Sequence, residues 1–142
     1  DDSSAEQASA EIASAEGTKA ADAAQVSQLS VPDEIILDPD RVPTSYTQAL
    51  HGKSCAYTAS AGALMSTGKA VDQGYVAVNP SIIPYGSKLW IVADDGEVYG
   101  YAIAADTGGS VGRNDILVDL FMWSYDECIQ WGAKNVTIYV IE

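Results

Sequence analysis

The sequence predicts a mostly β chain, a small barrel of six short strands with one short helix. Three observations predict it. Apolar runs of five to nine residues, rich in Val, Ile and Tyr, recur from Ser54 to the end of the chain. Glycine- and proline-bearing turns separate those runs. One segment alone carries both a helix start and a helix stop.

The chain has 142 residues, of which 47% are hydrophobic, enough for the core of one domain. Its net charge of −13 is uneven, because residues 1 to 50 hold ten acids and only two bases. A nucleic-acid surface needs clustered Lys and Arg, and an anionic membrane surface needs the same, so both partners are disfavoured. Weakly charged partners such as glycans stay open. No run of 18 apolar residues occurs, so no membrane insertion is expected. The chain opens Asp-Asp-Ser-Ser with no Met, and a removed signal or anchor is the expectation.

Residues 1 to 31 are Ala, Ser, Glu, Gln and Asp with few large apolar side chains. Such a stretch buries too little surface to offset its ordering entropy. Residues 32 to 46 hold Pro32, Pro39 and Pro43, which forbid helix. Ile35, Ile36 and Leu37 form a small apolar patch, either an extended arm on the domain or linker. Residues 1–46 together read as an acidic spacer, largely disordered, and 47–142 as the barrel domain.

The elements follow in order. CAYTAS begins the β texture with alternation at Tyr57 and Thr58. YVAVN, residues 75–79, is ended by Pro80, and Pro84-Tyr85-Gly86 turns the chain into KLWIVA, 88–93. Asp94-Asp95-Gly96 is a hairpin signal, and VYGYAIAAD, 98–106, is the return strand. ILVDLFM, 116–122, and NVTIYVI, 135–141, complete the set. Between them Ser124 and Glu127 make a capping box, and Gly132 stops the helix.

Asp106 ends one apolar run, is followed by Thr107, Gly108 and Gly109, and precedes Asp119 inside a second apolar run. Glycines let backbone N–H groups approach a ligand. Asp119 lies among Val118, Leu120 and Phe121, a setting that raises a carboxyl pKa by desolvation and suits a general acid. The plain alternative is a turn at Asp106 and an outward Asp119. Asn79 offers amide groups for a sugar hydroxyl, or is a simple turn residue. Tyr57 and Tyr85 adjoin turns and are the aromatics most expected at the surface. His51, the one histidine, reads as a solvated linker residue rather than a metal ligand, and no metal is implied.

Five stretches then stand in a telling order. They are Cys55-Ala56-Tyr57-Thr58-Ala59, Ala77-Val78-Asn79-Pro80 with Ile83-Pro84-Tyr85-Gly86, Ala105-Asp106-Thr107-Gly108-Gly109, Val118-Asp119-Leu120-Phe121, and Trp131-Gly132. This order resembles the three-aspartate (3D) domain of the double-psi β-barrel group. It is similar to the catalytic barrel of membrane-bound lytic transglycosylase A, to stationary-phase survival proteins and to rare lipoprotein A. The resemblance covers residues 54 to 142. It implies a six-stranded double-psi β-barrel acting on peptidoglycan glycan strands without a cofactor, outside the cell or at a bacterial wall. By motif position Asp119 is the implied acid/base and Asp106 lines the groove beside it. Asn79, Tyr57, Thr107, Gly108 and Gly109 are the implied substrate contacts. The implied reaction is non-hydrolytic cleavage between N-acetylmuramic acid and N-acetylglucosamine, leaving a 1,6-anhydro end. The alternative is a glycan-binding barrel without catalysis. A monomer or a strand-exchanged dimer is expected.

Two departures from the family pattern stand out. Asn79 occupies the place of the family's first aspartate. The loop before Asp119 is about two residues longer than the common pattern, so Asp115 competes for the acid role. An extracytoplasmic setting also implies a Cys55–Cys128 disulfide tying the two ends of the domain together.

Overall fold

The computed structural model describes residues 17–107, 111 and 116–142. Two very short strands come first, β1 (Thr18–Lys19) and β2 (Ile36–Leu37), paired antiparallel. The barrel strands are β3 (Gln48–Tyr57), β4 (Tyr75–Val78), β5 (Lys88–Ala93), β6 (Val98–Asp106), β7 (Ile116–Phe121) and β8 (Lys134–Val140). Helix α1 (Tyr125–Trp131) lies between β7 and β8.

The six strands close in the order β3-β7-β4-β6-β5-β8. The β3–β7 and β4–β6 pairs are parallel and the other four are antiparallel, so the barrel is mixed, as the double-psi arrangement requires. Alternation along the strands sorts their faces. Val76 and Val78, Leu89 and Ile91, Ala102 and Ala104, Val118 and Leu120, and Val136 and Ile138 fill the interior together with Tyr99. The interior is therefore packed side chain, not a channel.

The expected turns are in place. Gly96 takes φ 94 in the β5–β6 hairpin and donates to the Ala93 carbonyl. Ser124 Oγ accepts from the Glu127 N–H at 3.0 Å, and Gly132 closes α1 at φ 69. The buried indole of Trp131, on the last turn of α1, donates to Ser54 Oγ at 2.9 Å, which fastens the helix to β3. Strand β3 starts earlier than the sequence indicates, at Gln48, because seven register partners on β8 hold its polar first half.

The described part of the N-terminal segment is not a loose spacer. Ala20, Ile35 and Leu37 are buried against Trp90, Val98 and Tyr101 on the outer wall of β5 and β6. The Trp90 indole donates to the Arg41 carbonyl at 3.1 Å, so the arm also satisfies a buried donor. Residues 25–29 continue as a strap. Val26 and Ser27 donate to the Val98 and Tyr99 carbonyls at 3.1 and 2.8 Å, and Gln28 donates to the Gln73 carbonyl at 2.7 Å. Gln25 Oε1 accepts from the Tyr101 N–H at 2.8 Å. The strap lies so close that a Cβ at Gly100, which sits at φ 99, would run into the Gln25 side chain. Polar residues that dock through the backbone leave no hydrophobic period, so the strap has no signature in the sequence.

The expected Cys55–Cys128 disulfide does not form, and both cysteines are free thiols. The link between the ends of the domain is made instead by the β3–β8 ladder and the Trp131–Ser54 bond.

Leu37 is 2% exposed in the arm's contact with the barrel. Leu37→Ala should therefore cost about 2–5 kcal/mol in urea denaturation. A change within about 0.5 kcal/mol would mean that the arm adds nothing to the fold.

Candidate active site

The site is set by strand β4, which lies between β6 and β7. Ala77 of β4 pairs with Asp119 on one side and with Asp106 on the other. Asp119 in turn pairs with Cys55 of β3. Cys55, Asp119, Ala77 and Asp106 thus form one row across four strands. The two aspartate Cα atoms stand two strand spacings apart, roughly 10 Å.

All four residues face outward. Asp119 lies between Val118 and Leu120, which point into the barrel. Plain alternation would turn Asp106 inward, because Ala104 already faces the core. A bulge corrects this: Val76 pairs with Ala104 but Ala77 pairs with Asp106, and Ala105 is the extra residue.

Asp106 is held from several directions. Its Oδ1 accepts from the Ser66 N–H at 2.9 Å, from Ser66 Oγ at 2.7 Å and from the Thr107 N–H at 2.9 Å. Its Oδ2 accepts from the Tyr57 hydroxyl at 3.3 Å. Ser66 belongs to the connection between β3 and β4, which covers Phe121 and Ala105 with Met65 and Val71. Its part in the site was not legible from sequence, because Ser66 lies 40 residues from Asp106 and in no motif.

Asp119 is half-buried, and its Oδ1 is shielded from solvent. Its charge reaches three neighbours. Burial pushes the Tyr57 phenol well above its ordinary value, and the charges of Asp106 and then Asp119 add to that push. Burial likewise pushes up the thiols of Cys55 and Cys128, with Asp119 next in effect on each. The acid is therefore surrounded by groups that stay neutral: a phenol and two thiols.

The other sequence-derived contacts divide. Tyr57, expected at the surface, is half-buried and donates its hydroxyl to Asp106. Asn79 Oδ1 accepts from the N–H and Oγ of Ser81 at 3.0 and 2.6 Å, so this oxygen folds its own turn. Thr107 is exposed and meets Asp106 through its backbone. Gly108, Gly109 and Asp115 lie outside the described residues. Tyr85 is 41% exposed, on the turn before β5. His51 lies on β3, away from the row, with Nε2 3.0 Å from Asp94. A cavity of about 430 Å³ opens elsewhere, between the strap and the β5–β6 hairpin, lined by Gln25, Val26, Arg41 and Glu97. The carboxylate row is thus part of an outer wall rather than of that hollow.

This geometry can be set beside known proteins. Residues 74–142 match the family described as 3D domain. The matched residues form a 3D domain. It is 38% identical over 93 residues to "Cell wall-binding protein YocH" of Bacillus subtilis (strain 168), covering 61% of this chain and 30% of that protein. It is 38% identical over 98 residues to "Putative cell wall shaping protein YabE" of the same organism, covering 69% of this chain and 21% of that protein. The chain therefore spans less than a third of the length of either relative. Among solved structures it is similar to MltA from E. coli, at 20% identity and a TM-score of 0.47, over 58% of this chain and 28% of that one. It is also similar to a lytic transglycosylase, LtgG, of Burkholderia pseudomallei, at 19% identity and a TM-score of 0.45, over 58% and 27%. The 3D-domain match begins at Gly74, so Cys55, Tyr57 and Ser66 complete the site from outside the matched residues.

The raised Tyr57 phenol gives a pH signature. A group whose folded pKa is raised contributes stability that is full below its unfolded pKa and lost as pH climbs towards the folded value. Urea midpoints should fall above about pH 10, where an unfolded tyrosine ionises. In Tyr57→Phe that alkaline fall should be shallower. An identical slope in both proteins would show that Tyr57 is not buried beside these carboxylates.

Proposed function

We propose that this 3D domain cleaves peptidoglycan glycan strands without hydrolysis, with Asp119 as its one general acid/base. The observation that supports this most is the register row: it sets Asp119 on an outer wall, beside a second carboxylate already held by Ser66, Thr107 and Tyr57. Division of labour follows. Asp106 is committed to its donors and positions Tyr57 and the covering connection. Asp119, with one oxygen shielded from solvent and a phenol and two thiols nearby that stay neutral, is the group suited to carry a proton.

In this reading the Asp119 carboxyl protonates the oxygen that bridges muramyl C1 to the next sugar, and that bond breaks. The muramyl C6 hydroxyl oxygen then bonds to C1, and its proton returns to Asp119. The products are a 1,6-anhydro end and a free hydroxyl on the departing sugar, with no water consumed. One acid suffices, unlike the two-carboxylate schemes of hydrolytic glycosidases. The wall as the place of action is supported by the relatives, whose names speak of cell wall binding and cell wall shaping.

Digestion of purified peptidoglycan should release anhydro-muropeptides detectable by mass spectrometry. Asp119→Asn should lower the rate by about a hundredfold or more. Equal release by both proteins would remove Asp119 from the mechanism. A second reading, glycan binding without cleavage, is favoured by Asn79, which brings no charge and whose oxygen is engaged with Ser81. Retention on insoluble peptidoglycan with no soluble fragments released would select it.

A further inference from the structure

We propose that Trp123, in the bend that follows β7, is a sugar-stacking residue, marking the far end of a glycan subsite that begins at the carboxylate row. The proposal rests on the wall-glycan reading above and extends it to a residue outside the carboxylate row. It begins from an asymmetry among the three tryptophans. Trp90 and Trp131 are 0% and 4% exposed and each donates its indole proton into the fold, whereas Trp123 is 37% exposed.

Trp123 is also fixed in place. Its ring stands edge-to-face on Phe121, with centroids 4.9 Å apart and planes at 88°. Its indole N–H donates to Gln28 Oε1 at 3.2 Å, from the strap. Its backbone N–H donates to Gln73 Oε1 at 2.8 Å, and its carbonyl accepts from Thr58 Oγ1 at 3.1 Å. Gln73, 3% exposed, also donates Nε2 to the Val26 carbonyl at 2.8 Å, so strap and tryptophan share one buried amide. An exposed aromatic costs little entropy on binding when its rotamer is already set.

The placement is continuous with the acid. Asp119 and Phe121 face outward on β7, and Trp123 follows two residues on, past the end of the strand; Phe121 itself is 0% exposed, and Tyr57 packs edge-to-face on it at 5.5 Å while its hydroxyl reaches Asp106. Along a strand, four residues span about 13 Å. A linear ligand that crosses from the carboxylate row over Tyr57 to Trp123 meets an acid at one end and an aromatic face at the other. A pyranose offers a C–H face to such a ring and hydroxyls to the polar groups beside it. The net charge of −13 disfavours a polyanion and accommodates an N-acetylated sugar strand.

The test uses the full chain carrying Asp119→Asn, titrated with soluble oligomers of N-acetylglucosamine, which are N-acetylated and uncharged. Tryptophan emission should change saturably, since the other two indoles are buried. Adding Trp123→Ala should abolish that change and weaken binding about tenfold. Trp123→Phe, which keeps a ring, should retain most of the affinity, and Trp123→Leu, which keeps only apolar contact with Phe121, should not. Thermal melting of each variant separates loss of the face from loss of the fold. If Trp123→Ala and Trp123→Leu bind as tightly as their parent while Asp119→Asn still blocks cleavage, the subsite is wrong and the proposed function stands. If no variant binds and the unaltered chain cleaves nothing, both fall together.

Discussion

Strand β4 is the shortest of the six barrel strands, and the site depends on it. It pairs in parallel with β6 and antiparallel with β7, so one small residue, Ala77, has an aspartate on either side. The hydrogen bonds of that strand determine which way both carboxylates point. A slip of one residue between β4 and β7 would carry Asp119 into an interior built of Val76, Val118 and Leu120. An ion there would be unaffordable without a partner, so burial of the valines enforces the register that exposes the acid. On the other side the bulge at Ala105 does the same for Asp106. Stability and site geometry are in this sense one constraint.

That constraint also explains what sequence could and could not reveal. The strands were legible because their apolar residues alternate, and the helix because Ser124, Glu127 and Gly132 carry its start and stop. Asp106 and Asp119 were legible as a motif. Their position in one row was not, because register across β4 is a property of the closed barrel and not of either segment. Ser66 was illegible for a similar reason, since its value comes from the Asp106 oxygens it meets across the fold. The first half of β3 escaped notice because its exposed Gln48, Ala49, His51 and Lys53 mimic a loop. The arm stood open between two readings, because Pro32, Pro39 and Pro43 look like linker while Ile35 and Leu37 do the packing.

The arm and the strap change what the domain is. The outer wall of β5 and β6 presents Trp90, Val98 and Tyr101, an apolar surface that would be a liability if bare. Residues of the N-terminal segment cover it, and glycines at 74 and 100 leave room for the strap to approach. The connection between β3 and β4 covers a second outer patch around Phe121 and Ala105. The carboxylate row lies beside that second cover.

A closed, filled barrel leaves few places for chemistry on a polymer. The interior holds Tyr99, Leu89, Ile91 and their neighbours at full packing, so a sugar strand has no route through it. Loops at one end of a barrel suit a small ligand that can be surrounded, but a long glycan must lie across a surface. The outer wall supplies that surface only where the two covers leave it open. Phe121, on the same outward face as Asp119, is buried beneath one of those covers, and Trp123 emerges two residues later, past the end of β7. In the proposed function, a glycan held at Trp123 would be positioned against the acid by contacts several residues away. Remote contacts of this kind aid catalysis when they fix the reacting bond against the acid, rather than by adding uniform affinity.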